Sequence, residues 1–367
     1  MTGVDTSMNP LVQYIDSLGY QIEKENGNGT IKTYTSNEVE LDSLYNGVGL
    51  RNISHAGIIE LKGDDVLDYL HRISTNAVKD LPKEGLINTI FTSDKGRIID
   101  TSTLMNFEGH QLLICSDVHK LKVISWINKY IISDDVKAND ANGKYTLLEL
   151  IGPQAESLLT LVCGNIINNI QPDTFKIINA EGMLFFLLKV TQRNGGLKFW
   201  VIADSNNAHK FTRYLMENKG LFNFNLVGEE SFNTYRIEQG FLQAPNEIND
   251  NYNPLEAGFK EFIDFKKGCY IGQEVIARLD TYDKVQKQIC GIDLDEQPDL
   301  NSPLNIFDEQ GNEIGNITSI VNSVRLRKTI SLGYIKKSFS AEGTSILVKD
   351  SSGKNFNATV VSTPFKK

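Results

Sequence analysis

The sequence predicts an α+β protein, with two related ferredoxin-like α+β lobes followed by a C-terminal β-barrel domain. Three observations carry this prediction. Residues 58–73 (IIELKGDDVLDYLHRI) and 147–162 (LLELIGPQAESLLTLV) repeat one pattern: an apolar strand, a glycine turn and an amphipathic helix. Each copy is followed by further strands and a second helix, so two βα…βα units lie in series. From about Gln288 helical periodicity stops. Short apolar stretches then alternate with turns such as Asp308-Glu309-Gln310-Gly311-Asn312 and Ser351-Ser352-Gly353-Lys354, as expected of a small barrel.

The expected division is 1–285 for the two lobes, about 45–140 and 141–285 with the N-terminal segment packed on them, and 286–367 for the barrel. In the first copy Gly63 makes the turn, and Asp64 and Asp65 suit the first turn of a helix. Val66, Leu67, Leu70 and Ile73 fall on one face of that helix. A strand at 111–116 (QLLICS) then leads into a helix near 117–131. In the second copy Gly152 turns the chain, Pro153 suits a first helical position, and Leu158, Leu159 and Val162 share a face. A strand at 197–203 (LKFWVIA) leads into a helix near 205–219, closed by Gly220. Glu25–Thr30 is expected as a turn or mobile loop.

Length and composition narrow the class. At about 150 residues per domain, 367 residues suggest about two domains or three small ones. With 40% apolar and 23% charged residues the chain can bury a core, which excludes global disorder. A net charge of −9 argues against a nucleic-acid coat or a polybasic membrane binder. The longest apolar run, Met183–Leu188, falls far short of the roughly 20 residues that span a bilayer. Met1–Pro10 shows no basic region followed by an apolar stretch, so a soluble, cytoplasmic protein without membrane or direct nucleic-acid partners is expected. Cys115, Cys163, Cys269 and Cys290 are far apart, which predicts neither a disulfide scaffold nor a resident metal. The five histidines form no H-E-x-x-H pattern.

The most distinctive segment is Lys266-Lys267-Gly268-Cys269-Tyr270-Ile271-Gly272-Gln273-Glu274-Val275-Ile276-Ala277-Arg278. Two glycines bracket Cys269, and helix formers begin at Gln273. A cysteine just before a helix N-terminus and just after two lysines favours the thiolate; the alternative is a buried structural cysteine.

Lys267 to Glu274 resembles the K-G-C-(Y/F)-x-G-Q-E signature of YgfZ-type folate-binding proteins, relatives of the glycine-cleavage T-protein (GcvT, aminomethyltransferase). The resemblance runs over nearly the whole chain. Asn52-Ile53-Ser54-His55 is similar to D-(V/L)-S-H, LHRISTNAV at 70–78 to F-L-x-x-x-x-T-N-D-V, and Lys95-Gly96-Arg97-Ile98-Ile99-Asp100 to G-G-x-(I/L)-D-D. Arg236-Ile237-Glu238-Gln239-Gly240 is similar to R-(L/I)-E-A-G, and Pro254-Leu255-Glu256-Ala257-Gly258 to P-L-E-A-G. The resemblance implies three lobes around a central channel that holds tetrahydrofolate or another reduced folate.

It also implies roles. Asp100 occupies the place of the T-protein's functional carboxylate, able to accept a folate N–H or to assist proton transfer, with Thr101 where a second Asp often follows. The alternative is a strand-end Asp. Arg236 and Glu238 are candidate cofactor-binding residues; Arg236 offers a fork to a folate carboxylate, or pairs internally with Glu238 or a neighbouring acid. Asn194–Trp200 lacks the acid of the T-protein's pterin-holding pattern, while Phe199 and Trp200 suit either a flat ring or the core. Arg278, Lys284, Lys287, Arg325, Arg327 and Lys328 suit a polyglutamate tail or a solvated surface. Two functions follow from the resemblance. One is an accessory protein for iron–sulfur cluster assembly or repair, acting through Cys269 and meeting assembly proteins or cluster enzymes. The other is a tetrahydrofolate-dependent aminomethyl or one-carbon transferase using Asp100. A third, simpler outcome is folate binding without chemistry.

Overall fold

The computed structural model describes residues 10–19, 23–24, 31–300 and 302–366; the loop expected at Glu25–Thr30 lies outside the described residues. The N-terminal part comprises α1 (Pro10–Ser17), β1 (Glu23–Lys24), β2 (Ile31–Thr33), α2 (Asn37–Asn46) and β3 (Val48–Asn52). The first repeat unit is β4 (Gly57–Lys62), α3 (Val66–Ile73), β5 (Leu86–Thr92), β6 (Ile98–Phe107), β7 (His110–Cys115), α4 (Lys120–Lys129) and β8 (Lys137–Asp140). The second is β9 (Thr146–Ile151), α5 (Ala155–Cys163), β10 (Thr174–Ala180), β11 (Met183–Thr191), β12 (Leu197–Ala203), α6 (Ser205–Asn218) and β13 (Phe224–Leu226). Then come α7 (Glu229–Gln239), α8 (Gln273–Thr281) and the barrel strands β14 (Lys287–Leu294), β15 (Asn305–Phe307), β16 (Glu313–Ser323), β17 (Lys328–Lys336), β18 (Ser345–Lys349) and β19 (Asn355–Val361).

The repeat is genuine at the level of the backbone. Gly63 and Gly152 have φ of 128° and 129°, a region that L side chains rarely adopt. A Cβ would stand 1.8 Å from the Asp135 carbonyl oxygen at Gly63 and 2.3 Å from that of Gly47 at Gly152. Both strand–helix turns thus depend on the same absence of a side chain. Local details differ from expectation. Pro153 lies before the helix, which starts at Ala155 behind a Gln154 cap. The helix expected from 117 opens as a 3-10 turn, Asp117–His119, before α4. Asp65 accepts the Asp135 amide at 2.8 Å instead of capping its own helix.

The first sheet has the order β5-β6-β7-β4-β8 and the second β10-β11-β12-β9-β3-β13. By its pairing with β9 and β13, β3 belongs to the second sheet, although it precedes the first repeat unit. The two sheets meet face to face: Ile58, Met105, Leu112 and Ile114 of the first pack on Leu147, Leu188, Trp200 and Ile202 of the second. The outer face of the second sheet buries Leu148, Leu150 and Phe199 with Leu158, Phe211 and Leu215 of α5 and α6. This double coverage explains why all six residues of β9 are buried.

The barrel closes in the order β14-β17-β16-β15-β18-β19, which removes its edges. Helix α7 joins it to the lobes. Arg236 bonds Ser319 of β16 at 2.8 Å and pairs with Glu247 at 3.2 Å, while Glu238 holds Arg325 at 2.8 Å together with Ser323 and Tyr45. Among the described residues no helix is long and apolar enough to cross a membrane.

Candidate functional site: a channel between the lobes and a cysteine loop

Where the two sheets stop packing on one another, three adjoining cavities of about 260, 390 and 670 Å³ form a channel. Asn88 of β5 and Phe262 line all three. The central cavity is strongly aromatic, bordered by Trp200, Phe232, Phe241, Phe259 and Phe262, with Thr101, Thr103 and Gln243 as polar neighbours. The strand pleat decides which residues arrive there. On β12, Trp200 faces the channel while Phe199 lies in the core against the helices.

The same alternation acts on β6. Thr101 and Thr103 border the channel in two cavities and Ser102 in one, whereas Asp100 is fully buried and borders none of the three. Asp100 accepts the Ser116 amide and hydroxyl, both at 2.8 Å, and lies 3.2 Å from His119 Nδ1. It reaches the channel wall only through Ser116, which does line it.

An acid does face the channel, from a strand where none was expected. Glu149 of β9 stands directly opposite Trp200 of β12 and Arg51 of β3. Its oxygens accept from Lys198 at 2.7 Å, Trp200 Nε1 at 3.0 Å and Arg51 at 2.7 Å. Burial alone would raise its pKa. The nearby charges of Lys198 and Arg51 and the bonds from Lys198 and Trp200 outweigh burial and hold it at about 2. Arg51 also stacks on Phe232, with its guanidinium carbon 3.2 Å from the ring centroid. Sequence reading missed Glu149, Lys198 and Arg51. The available signal was a carboxylate inside the apolar strand LLEL, which burial tolerates only with partners.

Of the other expected residues, Arg236 borders the central cavity, and Glu247, Ser319 and Asn233 engage its guanidinium. Burial lowers its pKa against the opposing pull of Glu247. Glu238 lies away from the channel, at the joint of α7 with the barrel. Arg325 turns inward to Glu238 and Lys328 pairs with Asp293, so neither is a free surface cation.

Cys269 is exposed, and it borders none of the three cavities. It precedes α8, as its sequence suggests, with Gly272 capping that helix at φ 86°. A Cβ on Gly272 would lie 2.5 Å from the Ser93 carbonyl oxygen, so Gly272→Ala is expected to cost about 1–3 kcal/mol, read as a lower urea midpoint. Glu274 is exposed and Gln273 half-buried in the first turn of α8, while Tyr270 packs with Ile263 and Ile276. Lys267 does not serve as an exposed cation beside the thiol. Its ammonium donates to the carbonyls of Ser74 (2.6 Å), Asn76 (2.8 Å) and His71. Burial pushes its pKa down to about 7. Gly268, with φ 96°, turns the chain between this anchor and the cysteine.

The GCVT N-terminal domain family matches residues 12–267, and the glycine cleavage T-protein C-terminal barrel domain family matches residues 287–367. A putative chloroplastic transferase of Arabidopsis thaliana is 27% identical over 359 residues, which is 96% of this chain and 79% of that protein. An aminomethyltransferase of Bacteroides fragilis is 24% identical over 326 residues, 89% of this chain and 90% of its own length. The crystal structure of the glycine cleavage system aminomethyltransferase T from Bartonella henselae superposes with a TM-score of 0.82 at 19% identity and covers 97% of each chain, a shared fold.

Proposed function

The chain belongs to the glycine-cleavage T-protein family, and on that premise we propose that its channel binds a reduced folate while Cys269 supports iron–sulfur cluster proteins in the cytoplasm. The observation that carries the accessory reading over one-carbon transfer is the pleat of β6. It presents Thr101 and Thr103 to the channel and turns Asp100 to the opposite face under Ser116 and His119. Glu149, which faces the channel between the sheets, is engaged by Lys198, Arg51 and Trp200 and holds no proton to give near neutral pH. Neither Asp100 nor Glu149 is therefore poised as a general acid or base of the channel; His55 and Asp117 also border it.

The lining fits a folate. Trp200, Phe232 and Phe262 supply flat apolar area for the pterin and aminobenzoyl rings, Asn88 and Gln243 supply amide hydrogen bonds, and the cations of the lining, Lys198, Arg193 and Arg236, are paired with Glu149, Glu261 and Glu247. When bound, the folate carries one-carbon units. The chain's own residues orient it and exclude water. Aminomethyl transfer, the activity named for the bacterial relatives, is the second reading; Asp100 then acts on the channel through Ser116.

Calorimetry with folinic acid, a stable reduced folate, tests the first step. Binding is expected, and Trp200→Ala weakens it by about 10- to 100-fold, the loss of about 1–3 kcal/mol of ring stacking. No heat from the native protein at millimolar ligand rejects the folate reading. Formation of methylene-tetrahydrofolate from an aminomethylated lipoyl carrier protein favours the second reading.

A further inference from the structure

The channel and the cysteine are separate places on this chain, yet one short segment touches both. Residues 74–76, just past the C-terminus of α3, reach the channel wall through Asn76. Asn76 borders the largest cavity and its side-chain amide donates to the Asn88 carbonyl at 2.8 Å. Thr75 bonds the Ile90 carbonyl through its amide at 3.0 Å and the Phe262 carbonyl through its hydroxyl at 2.7 Å. Asn88 and Phe262 line every part of the channel.

The carbonyls of the same segment hold the cysteine loop. Lys267 spends all three ammonium hydrogens on the carbonyls of His71, Ser74 and Asn76. In return, its own carbonyl lies 3.0 Å from His71 Nε2. The Lys79 amide donates to His71 Nδ1 at 3.4 Å, which leaves the proton on Nε2 and makes it the donor to Lys267. The Asp264 amide adds a bond to the Thr75 carbonyl at 3.1 Å. On its C-terminal side the loop is anchored by the buried Tyr270 and by the Ile271 carbonyl, which accepts the Thr92 hydroxyl at 2.6 Å; on its N-terminal side Phe265, Lys266, Gly268 and Cys269 are exposed and the Lys267 bonds hold it.

We propose that Lys267 and His71 form a latch through which the wall of the channel sets the position of Cys269. Lys267 is then a positioning residue for the thiol and not a charge that activates it. The physical basis is the balance at Lys267. A half-buried ammonium facing the end of a helix is favoured by the carbonyls there. Its lost hydration is offset by three neutral carbonyl acceptors and the nearby charge of Asp264, which together do not outweigh burial. Latched and released loops therefore lie close in free energy, and sub-ångström shifts of the 74–76 carbonyls change their ratio. A ligand pressing on Asn88, Asn76 or Phe262 moves those carbonyls. The ligand half of this inference rests on the folate reading; the latch itself does not.

Alkylation of Cys269 by iodoacetamide reads the latch directly, since the other three cysteines are buried. Saturating folinic acid is expected to change the native rate by at least about threefold. Lys267→Met raises the ligand-free rate by a similar factor and abolishes the response to folinic acid, while calorimetry still shows binding. An arm without ligand closes the test. Asn88→Ala alters the alkylation rate in the native background and leaves it unchanged beside Lys267→Met, a non-additivity that a merely stabilising lysine does not produce. If Lys267→Met fails to fold, His71→Leu, which removes one bond of the latch, carries the same comparison. Additive effects of Asn88→Ala and Lys267→Met, or a folinic acid response that survives loss of the latch, overturn the proposal. Absence of folinic acid binding with a non-additive mutant pair overturns the folate reading alone.

Discussion

Glu149→Gln lowers folding stability by about 3 kcal/mol near neutral pH, and that deficit shrinks as the solution is made acidic. The carboxylate sits at about 2 in the fold against 4.5 for an ordinary Glu, and each unit of difference is worth about 1.4 kcal/mol. A depressed carboxylate stabilises the fold where both states are ionised, above about 4.5, and that contribution is lost as pH falls toward about 2. Glutamine keeps the size and has nothing to titrate. It also leaves Arg51 and Lys198 facing each other in the channel wall without their shared counter-charge. Urea unfolding of the two proteins across this range, followed by circular dichroism, gives the difference directly; the remaining acids cancel between them. Equal stabilities near neutral pH would show that the cluster contributes nothing.

The largest functional effect is expected at Cys269. Cys269→Ser alters an exposed side chain, so stability stays within about 0.5 kcal/mol and folinic acid binding is unchanged. Cells that depend on this protein are nevertheless expected to lose their cluster-dependent enzyme activities, because a hydroxyl replaces a thiol as nucleophile, redox group or soft metal ligand. Asp100→Asn should behave in the opposite way. One of the hydrogen bonds from Ser116 or His119 then meets an amide N–H₂, and stability falls by about 1–3 kcal/mol with cluster support retained at normal protein levels. Cys163 and Cys290 serve as controls. Burial pushes their thiols up to about 12 and about 11, so they stay neutral, and their Ser variants act on stability. Complementation with the variants side by side decides. The transferase reading expects Asp100 to be essential and Cys269 dispensable, and full rescue by Cys269→Ser rejects the accessory role.

Much of the fold was legible because its causes are local. The strand, glycine and helix of each repeat lie within sixteen consecutive residues, and a φ near 128° demands glycine whatever surrounds it. The barrel announced itself by loss of the helical period, and the cysteine segment by two glycines ahead of a run of helix formers. The sequence left Cys269 as either a reactive thiol or a buried structural cysteine, and the structure places it exposed on a loop whose residues Phe265, Lys266 and Gly268 are exposed as well.

The channel was legible only in part. Periodicity states that Asp100 and Thr101 point to opposite faces of β6, but not which face meets the other lobe; Ser116 and His119, at the turn ahead of α4, cover the side of Asp100, and Thr101 is left to the channel. Arg51, Glu149 and Lys198 come from three strands whose neighbour relations are set by sheet order, and β3 joins the second sheet across the entire first lobe. Lys267, adjacent in sequence to Gly268 and Cys269, looked like an activating charge. The tertiary structure turned its ammonium to the end of α3, because the unpaired carbonyls there offered the acceptors that a half-buried cation requires. Sequence by itself determined which turns, helices and strands this chain can form; the pairing of distant strands, and the packing of α7 and the segment after it against them, decided which side chains share one cavity.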